Sequence, residues 1–462
     1  MAKHHVVIGG GPAGMAAIDT IRQCGDDGNI TLIVKEPVAY SRMAIPYWIA
    51  GNIPPEQTYL ADDAYYQRMN VTPRLGKAAT GVDTANKQVT LEDGSTVSYD
   101  TLLIATGSSA TRPDIPGIDG AGVFNLWTLA DAEAVLNKAA GTPEVVFIGA
   151  GFIGFIVLNA MLKRGWKLSV VEIENQILPR MLDATAAPMV QNHLAKKGVT
   201  CHTGVSVAEI GDANGKKCVK LSNGTELSAD IVIVATGIKP NSGFLAGSGI
   251  AVNPDTGGIV VDDTMQTNVP DVYAAGDVAE GPNLLGGKAI HAIQPTCVDH
   301  GRVAGANMAG RETHYPGSLL INILDVAGLH CASFGDWKGE GKEVHTINNP
   351  SRPIYRKLVF DGGRMVGATF VGPVSDTTLL NDVGMVKGLI QSRVDLAHWK
   401  DYIKTHPLDI RRAYIGSGAA NALLATRLIG EPSKDRAFRY QNVQPVTQPS
   451  PWHQVLVGTK PE

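Results

Sequence analysis

The sequence has almost no excess charge and few cysteines, and both features restrict the kind of protein it encodes. Its 40 lysine and arginine residues nearly balance 44 aspartate and glutamate residues, which leaves a net charge of −4. Such a balance argues against binding to nucleic acid or to an anionic membrane. The five cysteines include no C-x-x-C pair, which rules out a cysteine-only zinc cluster and argues against a disulfide framework. We therefore expect a protein of a reducing compartment with no bound metal.

Targeting sequences and long uninterrupted apolar runs are also scarce. The N-terminus leads directly into an apolar strand and leaves no room for a signal peptide, so we expect a cytoplasmic protein. Residues 145–162 are apolar over a length that could span a membrane, but they contain three glycines and an asparagine. A strand, a turn and a helix explain this stretch better than a membrane span does.

Glycine, in contrast, is abundant, and its first cluster forms a G-x-G-x-x-G motif. The motif lies between a predicted strand over residues 5–9 and a predicted helix over residues 15–23. Its glycines permit a tight turn, close approach of backbone N–H groups to a pyrophosphate, and close packing of helix on strand. Glu36 follows the next predicted strand, about 20 residues further on, where an acidic residue accepts a ribose hydroxyl.

The same arrangement occurs a second time. A predicted strand over residues 145–148 precedes another G-x-G-x-x-G motif and a helix that reaches Arg164, and a further strand ends at Glu172. The repetition predicts two dinucleotide sites. Glu172, with Glu174 behind it, would repel a 2′-phosphate, so we expect NADH rather than NADPH at the second site.

Two further segments repeat as well. The apolar stretches 102–107 and 231–237 both end in Ala-Thr-Gly, and each follows a hairpin-like stretch with Asp-Gly or Asn-Gly at its turn. The period of about 130 to 140 residues is too long for a solenoid. We interpret it as a duplicated nucleotide-binding domain and predict an α/β fold with two Rossmann-like domains.

The two glycine motifs, the two Ala-Thr-Gly turns and the sequence Val-Tyr-Ala-Ala-Gly-Asp at 272–277 resemble the FAD/NAD-linked pyridine nucleotide-disulfide oxidoreductases over roughly residues 4 to 425. The resemblance implies that the first motif holds FAD and the second holds the nicotinamide cofactor. It implies an NAD-binding domain (112–240) inserted into an FAD-binding domain (1–111 and 241–315). It also implies a C-terminal α+β interface domain (316–428) that makes a homodimer, followed by an extended tail (429–462).

The motifs and the resemblance together give a set of candidate cofactor ligands. For FAD the candidates are Gly9, Gly11, Pro12, Ala13, Gly14, Glu36, Ser41, Arg42, Met43, Ala79, Ala105, Thr106, Gly107, Gly276, Asp277, Gln294, Pro295 and Thr296. For NAD they are Gly149, Gly151, Phe152, Ile153, Gly154, Glu172 and Gly237. The resemblance implies that Asp277 bonds a ribityl hydroxyl. A predicted helix beginning near Gln294 would direct its positive end at the reduced flavin.

The chain departs from the family at two positions, Met43 and Ile156, and keeps a histidine, His406, whose usual partner is missing. Its stretch 36–46 resembles coenzyme A-disulfide reductases and NADH oxidases, as well as nitrite-reductase-like and rubredoxin-reductase-like flavin domains, but Met43 stands where the single-cysteine enzymes carry their redox cysteine. A thioether forms no thiolate and cannot reduce a disulfide. His406 resembles the family's thiol base but lacks that thiol, and Ile156 replaces a glutamate that members commonly carry near the nicotinamide. His406 and His291 remain the only candidate catalytic residues.

Three functions stay open at this point. The first is an NADH:acceptor oxidoreductase that passes electrons through FAD to an iron–sulfur or rubredoxin-like protein, or to another acceptor. The second is a non-catalytic FAD-carrying subunit of a larger redox complex, which Ile156 favours. The third is a coenzyme A-disulfide or persulfide reductase, which would need another nucleophile such as Cys331.

In the C-terminal part, the apolar pattern predicts strands over residues 318–324, 357–360 and 365–370. It predicts helices over residues 376–391 and 395–404.

Overall fold

The computed structural model describes residues 3–349 and 351–424, so the predicted tail (429–462) and the last residues of the predicted interface domain lie outside the described part. The α-helices are α1 (Pro12–Gln23), α2 (Ile45–Ile49), α3 (Asp63–Arg68), α4 (Leu129–Lys138), α5 (Phe152–Lys163), α6 (Ala186–Lys196), α7 (Gln294–Met308), α8 (Thr377–Ser392), α9 (Ala397–Thr405), α10 (Ile410–Gly416) and α11 (Ala419–Leu424). Short 3-10 helices cover Arg42–Ala44, Pro55–Thr58, Gly243–Leu245 and Gly276–Val278.

The strands are numbered in chain order. In the first half they are β1 (His4–Ile8), β2 (Asn29–Val34), β3 (Val71–Leu75), β4 (Ala79–Asp83), β5 (Gln88–Leu91), β6 (Thr96–Ser98), β7 (Thr101–Ile104), β8 (Ser108–Ala110), β9 (Val123–Asn125), β10 (Glu144–Ile148), β11 (Lys167–Glu172), β12 (Thr200–Thr203) and β13 (Val207–Ala213). In the second half they are β14 (Lys216–Leu221), β15 (Glu226–Ala229), β16 (Ile231–Val234), β17 (Ile238–Pro240), β18 (Ile259–Val260), β19 (Val272–Ala274), β20 (Ala279–Pro282), β21 (Lys288–Ala289), β22 (Ile321–Val326), β23 (Leu329–Gly335), β24 (Glu343–Asn349), β25 (Ile354–Asp361) and β26 (Arg364–Pro373).

Two parallel five-stranded sheets with the same order of strands form the nucleotide-binding part. One has the order β19-β7-β1-β2-β3 and the other the order β9-β16-β10-β11-β12. Each glycine motif therefore joins the central strand, β1 or β10, to a helix that crosses to the next strand. Each unit also carries a three-stranded antiparallel sheet, β4-β5-β6 or β13-β14-β15. This repetition confirms the α/β fold class and the internal duplication predicted from the sequence.

The chain crosses between the two units where β8 and β17 pair. Directly after the Ala-Thr-Gly turns, β8 and β17 pair in antiparallel register, with Ser108 opposite Pro240. Strand β19, at the edge of the first sheet, follows β17 in the chain. Strand β9, at the matching edge of the second sheet, follows β8. The order of the sheets thus fits the predicted insertion of one unit into the other.

The C-terminal part is an antiparallel sheet with the order β22-β23-β26-β25-β24, covered by helices. One face shares a core with the second unit, where Leu324, Cys331 and Val371 are buried. The other face shares a core with α8, α9 and α10, where Phe334 and Phe370 are buried. This is the mixed α+β architecture that was predicted.

The predicted elements recur with shifted ends. The first C-terminal strand begins at Ile321 instead of residue 318, and the two helices are Thr377–Ser392 and Ala397–Thr405. In the C-terminal part, β23 and β24 were not predicted. Every residue of β23 is buried, so it shows no alternation of apolar and polar positions, whereas β24 is a polar edge strand. Among the described residues, no helix combines the length and apolar character needed to cross a membrane.

Candidate functional site

The three glycines of the first motif meet different surroundings. Gly9 has φ +118°, and a Cβ placed there would lie 2.1 Å from the carbonyl oxygen of Ala105. A Cβ on Gly14 would lie 2.0 Å from the carbonyl oxygen of Gly9, so strand, turn and helix pack with no room for a side chain. At Gly11 a Cβ would meet no atom of the described residues within 4 Å. Gly11 therefore faces open space, as expected of backbone that a phosphate must approach.

The second motif repeats this geometry. Gly149 has φ +100°, and a Cβ there would lie 2.5 Å from the carbonyl oxygen of Ala235. A Cβ on Gly154 would lie 3.2 Å from the Cβ of Ala235, while Gly151 again faces open space. Each Ala-Thr-Gly turn thus presses its alanine against the first glycine of a motif. Both patterns were predicted from the sequence, but the contact between them was not.

Both glycine motifs leave a helix N-terminus open. Helix α1 has Gly11 at its N-cap and α5 has Gly151, and neither helix receives a side-chain cap from the described residues. In contrast, α3 and α4 are capped by the side chains of Asp62 and Thr128. The N–H groups in the first turns of α1 and α5 therefore remain available to an anion, and the helix dipole favours negative charge there. These two loops fit the pyrophosphate groups of FAD and NAD.

The acidic residues beyond the two motifs are held differently. Glu36 is half-buried and accepts a hydrogen bond from the Tyr40 hydroxyl at 2.9 Å. Glu172 is only 7% exposed. Its Oε2 accepts the N–H of Ala150 at 2.7 Å and its Oε1 accepts the N–H of Glu174 at 2.9 Å. Glu172 therefore braces the second glycine loop, and its carboxylate stays beside the loop that would hold the NAD phosphates.

Arg42 joins the two nucleotide-binding units. Its Nε donates to the carbonyl oxygen of Trp127 at 3.0 Å, and its guanidinium carbon lies 4.0 Å from the centre of the Trp127 ring. Its Nη1 lies 3.8 Å from Oδ2 of Asp277. Trp127 in turn donates from Nε1 to the carbonyl oxygen of Ser108 at 2.7 Å. Arg42 and Asp277 were predicted as candidate FAD ligands, whereas Trp127 and Ser108 were not among the predicted site residues.

Asp277 closes this ring of contacts. Its Oδ2 accepts the Ser108 hydroxyl at 2.8 Å and its Oδ1 accepts the Cys297 thiol at 3.2 Å. Burial, together with the negative charge of Asp277, raises the pKa of Cys297 well above its ordinary value. Gly276 has φ +80° and would bring a Cβ to 3.2 Å from that of Ala13, so the Gly-Asp pair lies directly against the start of α1.

Helix α7 lies beside α1 at very short distance. A Cβ on Gly301 would lie 2.1 Å from the carbonyl oxygen of Ala13, and one on Gly305 would lie 2.5 Å from that of Ala17. The G-x-x-x-G spacing on α7 is a sequence signal for such packing, although this contact was not predicted. At the N-terminus of α7, Gln294 and Pro295 are exposed and Thr296 is buried.

The other candidate FAD residues border this region with different exposures. Ser41 is buried and its N–H bonds to the carbonyl oxygen of Thr58, whereas Met43 is 41% exposed. Ala79 is half-buried at the start of β4. The Thr106 hydroxyl donates to the carbonyl oxygen of Asn241 at 2.8 Å, so it fixes the crossing between the units. Gly107 and Gly237 both have positive φ, which the Ala-Thr-Gly turns require.

The two candidate catalytic histidines lie in separate places. His291 is buried, and its Nδ1 lies 2.8 Å from the Ser318 hydroxyl. Burial lowers its pKa. His406 is exposed at the end of α9, where its ring stacks on Tyr402 at 4.5 Å. The structure therefore does not bring the two histidines together in one site.

None of the five cysteines, all of them within the described residues, replaces the missing redox cysteine. Cys297 and Cys331 are buried, and Cys24, Cys201 and Cys218 are half-buried. Burial raises the pKa of Cys331, and it raises the pKa of Cys201 to about 11. In the part of the chain that the structure describes, no group of three or more His, Cys, Asp or Glu side chains could hold a metal ion.

Comparisons with known proteins agree with this architecture. Residues 3–296 match the pyridine nucleotide-disulphide oxidoreductase family, and residues 321–384 match the rubredoxin NAD+ reductase C-terminal domain. The chain is 32% identical over 415 residues to the NADH-dependent phenylglyoxylate dehydrogenase subunit epsilon of Aromatoleum evansii, covering 88% of this chain and 96% of that one. It is 31% identical to the nitrite reductase [NAD(P)H] of Bacillus subtilis, covering 88% of this chain but only 49% of that protein.

Among solved structures, an NAD-dependent persulfide reductase from A. fulgidus superposes with a TM-score of 0.80 at 30% identity, over 92% of this chain and 85% of that one. The first family match covers well over half of the chain and includes both glycine loops. Together with the two glycine loops (the dinucleotide cradles) and the crossing between the units, these matches show that the chain belongs to the pyridine nucleotide-disulphide oxidoreductases. These are flavoenzymes that use FAD and NAD(P)H.

Proposed function

We propose that the chain passes electrons from NADH through FAD to an iron–sulfur or rubredoxin-like protein, with no cysteine in the path. The observation that carries this proposal is Met43. The resemblance implies that Met43 stands where the single-cysteine enzymes carry their redox cysteine. Its side chain is 41% exposed in the short 3-10 helix Arg42–Ala44, in a chain that keeps both glycine loops. A thioether can pack against a ring system but cannot take part in thiol–disulfide exchange. Electrons that reach the flavin must therefore leave it directly.

The first cradle and its neighbours would hold FAD. Gly11 leaves the N-terminus of α1 open to the pyrophosphate, and Glu36 stands at the end of β2 to accept ribose hydroxyls. Asp277 lies beside the start of α1, where its carboxylate would accept a ribityl hydroxyl. When bound, FAD accepts a hydride and releases electrons singly. The open N-terminus of α7 would stabilise negative charge on the reduced ring, so no side-chain acid or base is required.

The second cradle would hold NADH. Gly151 leaves the N-terminus of α5 open to the pyrophosphate, and Glu172 would accept the hydroxyls of the adenosine ribose. Both oxygens of Glu172 are already held by backbone N–H groups, which fix the carboxylate in place. A fixed, buried carboxylate would repel the 2′-phosphate of NADPH, and this supports selectivity for NADH.

The C-terminal part supports the choice of acceptor. Residues 321–384 match the domain of rubredoxin NAD+ reductases, and these residues form the sheet that packs on the second nucleotide-binding unit. We propose that residues 316–428 form the interface domain of a cytoplasmic homodimer, next to the FAD-binding (1–111, 241–315) and NAD-binding (112–240) domains. A small one-electron protein is the partner this arrangement favours.

A second function remains a candidate, namely an FAD-carrying subunit of a larger redox complex. The similar chain in Aromatoleum evansii, matched over 96% of its length, is named as the epsilon subunit of a dehydrogenase. Ile156 also favours this function, because it packs against the core of the second unit at a position where the resemblance implies a glutamate. Such a subunit could lack a working nicotinamide site. The third candidate, a persulfide or coenzyme A-disulfide reductase, is disfavoured by Met43 and by the burial of Cys331.

Anaerobic mixing of the FAD-loaded protein with NADH or NADPH in a stopped-flow spectrometer tests the proposal. A reductase should lose flavin absorbance rapidly with NADH and more slowly with NADPH. An unchanged spectrum with both nucleotides would contradict the reductase and support the subunit. Pull-down of a copurifying partner would then identify the acceptor.

A further inference from the structure

The C-terminal sheet contacts the second nucleotide-binding unit through two buried side chains of β25, Tyr355 and Lys357. Both donate to the same carboxylate oxygen, Oδ2 of Asp183, the Tyr355 hydroxyl at 2.6 Å and the Lys357 Nζ at 3.3 Å. The other oxygen, Oδ1, accepts the N–H groups of Thr185 at 3.1 Å and Ala186 at 3.0 Å, where α6 begins. Asp183 therefore joins the two parts of the molecule with one oxygen on each side.

Asp183 and Glu172 lie at opposite ends of the segment that connects β11 to α6. Between them, Leu178 is 1% exposed and has φ +51°, a conformation that a non-glycine residue keeps only where its surroundings hold it. The Leu178 N–H donates to the carbonyl oxygen of Ala150 at 3.0 Å, and the Ala150 N–H donates to Glu172 at 2.7 Å. Ala150 is the second residue of the second glycine motif, so this segment holds both of its backbone groups.

A second contact fixes the same sheet to the same unit. Ala327, with φ +52°, forms the two-residue turn between β22 and β23 together with Gly328. Its N–H donates to Oδ1 of Asn159 on α5 at 3.1 Å, and its carbonyl oxygen lies 3.0 Å from Nε2 of His193 on α6. Helix α5 begins at the second glycine motif. The C-terminal sheet is therefore a fixed support from which Tyr355 can hold the segment between β11 and α6.

We propose that Tyr355 is a positioning residue for the nicotinamide cofactor, a role that rests on the proposed NADH site at the second glycine loop. Through Asp183 it holds the segment between β11 and α6, and this segment holds Ala150 and Glu172 in the arrangement that receives the pyrophosphate and the adenosine ribose. Order that exists before binding lowers the entropic cost of binding, so Tyr355 increases the affinity without contacting the cofactor.

Isothermal titration of the full-length, FAD-loaded protein with ADP-ribose tests this role. ADP-ribose carries the pyrophosphate and the adenosine ribose of NADH but no nicotinamide, so it occupies the second loop without reducing the flavin. Tyr355→Phe removes only a hydroxyl, and Asp183 keeps its bonds to Lys357 and Ala186, so the variant should fold. Its Kd for ADP-ribose should be about threefold to tenfold higher than that of the wild type. The KM for NADH should rise in parallel, while kcat stays near its original value.

Two further variants sharpen the test. Tyr355→Phe combined with Lys357→Met removes both bonds from the sheet to Asp183 and should raise the Kd for ADP-ribose further. Tyr65→Phe is the matched control, because the Tyr65 hydroxyl also joins two elements through an aspartate, Asp19 of α1 at 2.7 Å, but in the first unit. This control should bind ADP-ribose with the affinity of the wild type.

The outcomes separate this inference from the function on which it rests. If Tyr355→Phe binds ADP-ribose as tightly as the wild type and only its unfolding temperature falls, Tyr355 has a structural role alone and the inference is wrong. An equal loss of affinity in Tyr65→Phe would overturn it as well, because the effect would not be specific to the C-terminal sheet. If the wild type itself binds no ADP-ribose, the proposed NADH site is wrong and the inference falls with it.

Discussion

The guanidinium of Arg42 lies 4.0 Å from the ring centre of Trp127, although 85 residues separate the two in the chain. Arg42 lies in the short 3-10 helix Arg42–Ala44, between β2 and α2, and Trp127 lies just before α4 in the second unit. Through Ser108 and Asp277 the contact continues to the start of α7. The short 3-10 helix that carries Met43 is thus bonded to the second unit and lies beside the Gly-Asp motif.

Replacing Arg42 should loosen FAD binding. In Arg42→Met the bond to the Trp127 carbonyl and the charge beside Asp277 are both lost, and a charged hydrogen bond contributes about 1.5 to 3 kcal/mol. The dissociation constant of FAD, measured by quenching of flavin fluorescence, should rise about tenfold or more. Arg68→Met is the matched control, because Arg68 also covers an aromatic ring, that of Tyr65, but on exposed α3. Equal losses in the two variants would contradict the role of Arg42.

Alanine substitutions at the two open glycines should weaken the binding of one cofactor each. Gly11 and Gly151 both have φ −81°, which alanine adopts without strain, and their Cβ atoms would meet no atom of the described residues within 4 Å. Gly11→Ala should therefore fold but bind FAD at least about tenfold more weakly, since the added methyl group occupies phosphate space. Gly151→Ala should retain FAD and be reduced slowly by NADH. Thermal unfolding and stopped-flow reduction measure both effects.

Gly9→Ala is the contrasting variant. Its Cβ would collide with a backbone oxygen, and its φ of +118° disfavours any side chain, so it should destabilise the fold itself. Normal FAD content in Gly11→Ala, or normal stability in Gly9→Ala, would contradict this division of roles.

Glu172 should set the preference between NADH and NADPH. Glu172→Gln keeps the size of the side chain but removes the negative charge that would repel a 2′-phosphate. It also replaces one of the two carboxylate oxygens that accept backbone N–H bonds with an amide NH₂ group. The ratio of kcat/KM for NADH to that for NADPH should fall about tenfold, mainly through a higher KM for NADH. Glu174→Gln, at an exposed position two residues away, should lower the ratio much less than Glu172→Gln does. An unchanged ratio in Glu172→Gln would show that Glu172 only supports the loop.

The buried His300 should make the protein less stable in acid. Burial, together with nearby His291, lowers the pKa of His300 from 6.5 to about 4, and neither ring nitrogen has a hydrogen-bond partner within the described part of the chain. Between these values the unfolded chain takes up a proton that the folded chain does not. The free energy of unfolding should therefore fall as the pH drops from about 6.5 to 4, by up to about 3 kcal/mol.

Thermal unfolding followed by circular dichroism across this range measures the effect. His300→Phe, which retains an aromatic ring against Tyr315, should show a smaller loss in acid. His314→Gln is the control, because exposed His314 has a pKa raised by Glu312 and Asp263 and stabilises the protein at low pH instead. A similar acid loss in wild type and His300→Phe would contradict the assignment.

The repeated units could be predicted from the sequence because their signals are local. Each glycine motif, its flanking strand and its acidic residue lie within about 30 residues, and the physical reason for each glycine can be stated without a structure. The ring of Arg42, Trp127, Ser108 and Asp277 could not be predicted in this way. Arg42 and Asp277 lie far along the chain from Ser108 and Trp127, and nothing in the sequence near Trp127 indicates that its ring covers an arginine.

Packing that depends on both faces of an element was also missed. Strand β23 is buried on both faces, so its sequence lacks the alternation that identifies a strand. The glycines of α7 were visible in the sequence, but only the structure shows that they lie against the carbonyl groups of α1. Met43 was predicted to stand in the redox position; its side chain is 41% exposed, and its place beside a bound flavin stays a prediction.

The most direct test of the account uses a variant without reactive thiols. In this variant Cys297 becomes serine, which still donates to Asp277, and the other four cysteines become alanine. With FAD bound, its steady-state transfer of electrons from NADH to a rubredoxin should proceed at a rate close to that of the wild type. Loss of this transfer, with FAD content and folding intact, would show that a cysteine relays the electrons and would contradict the central claim.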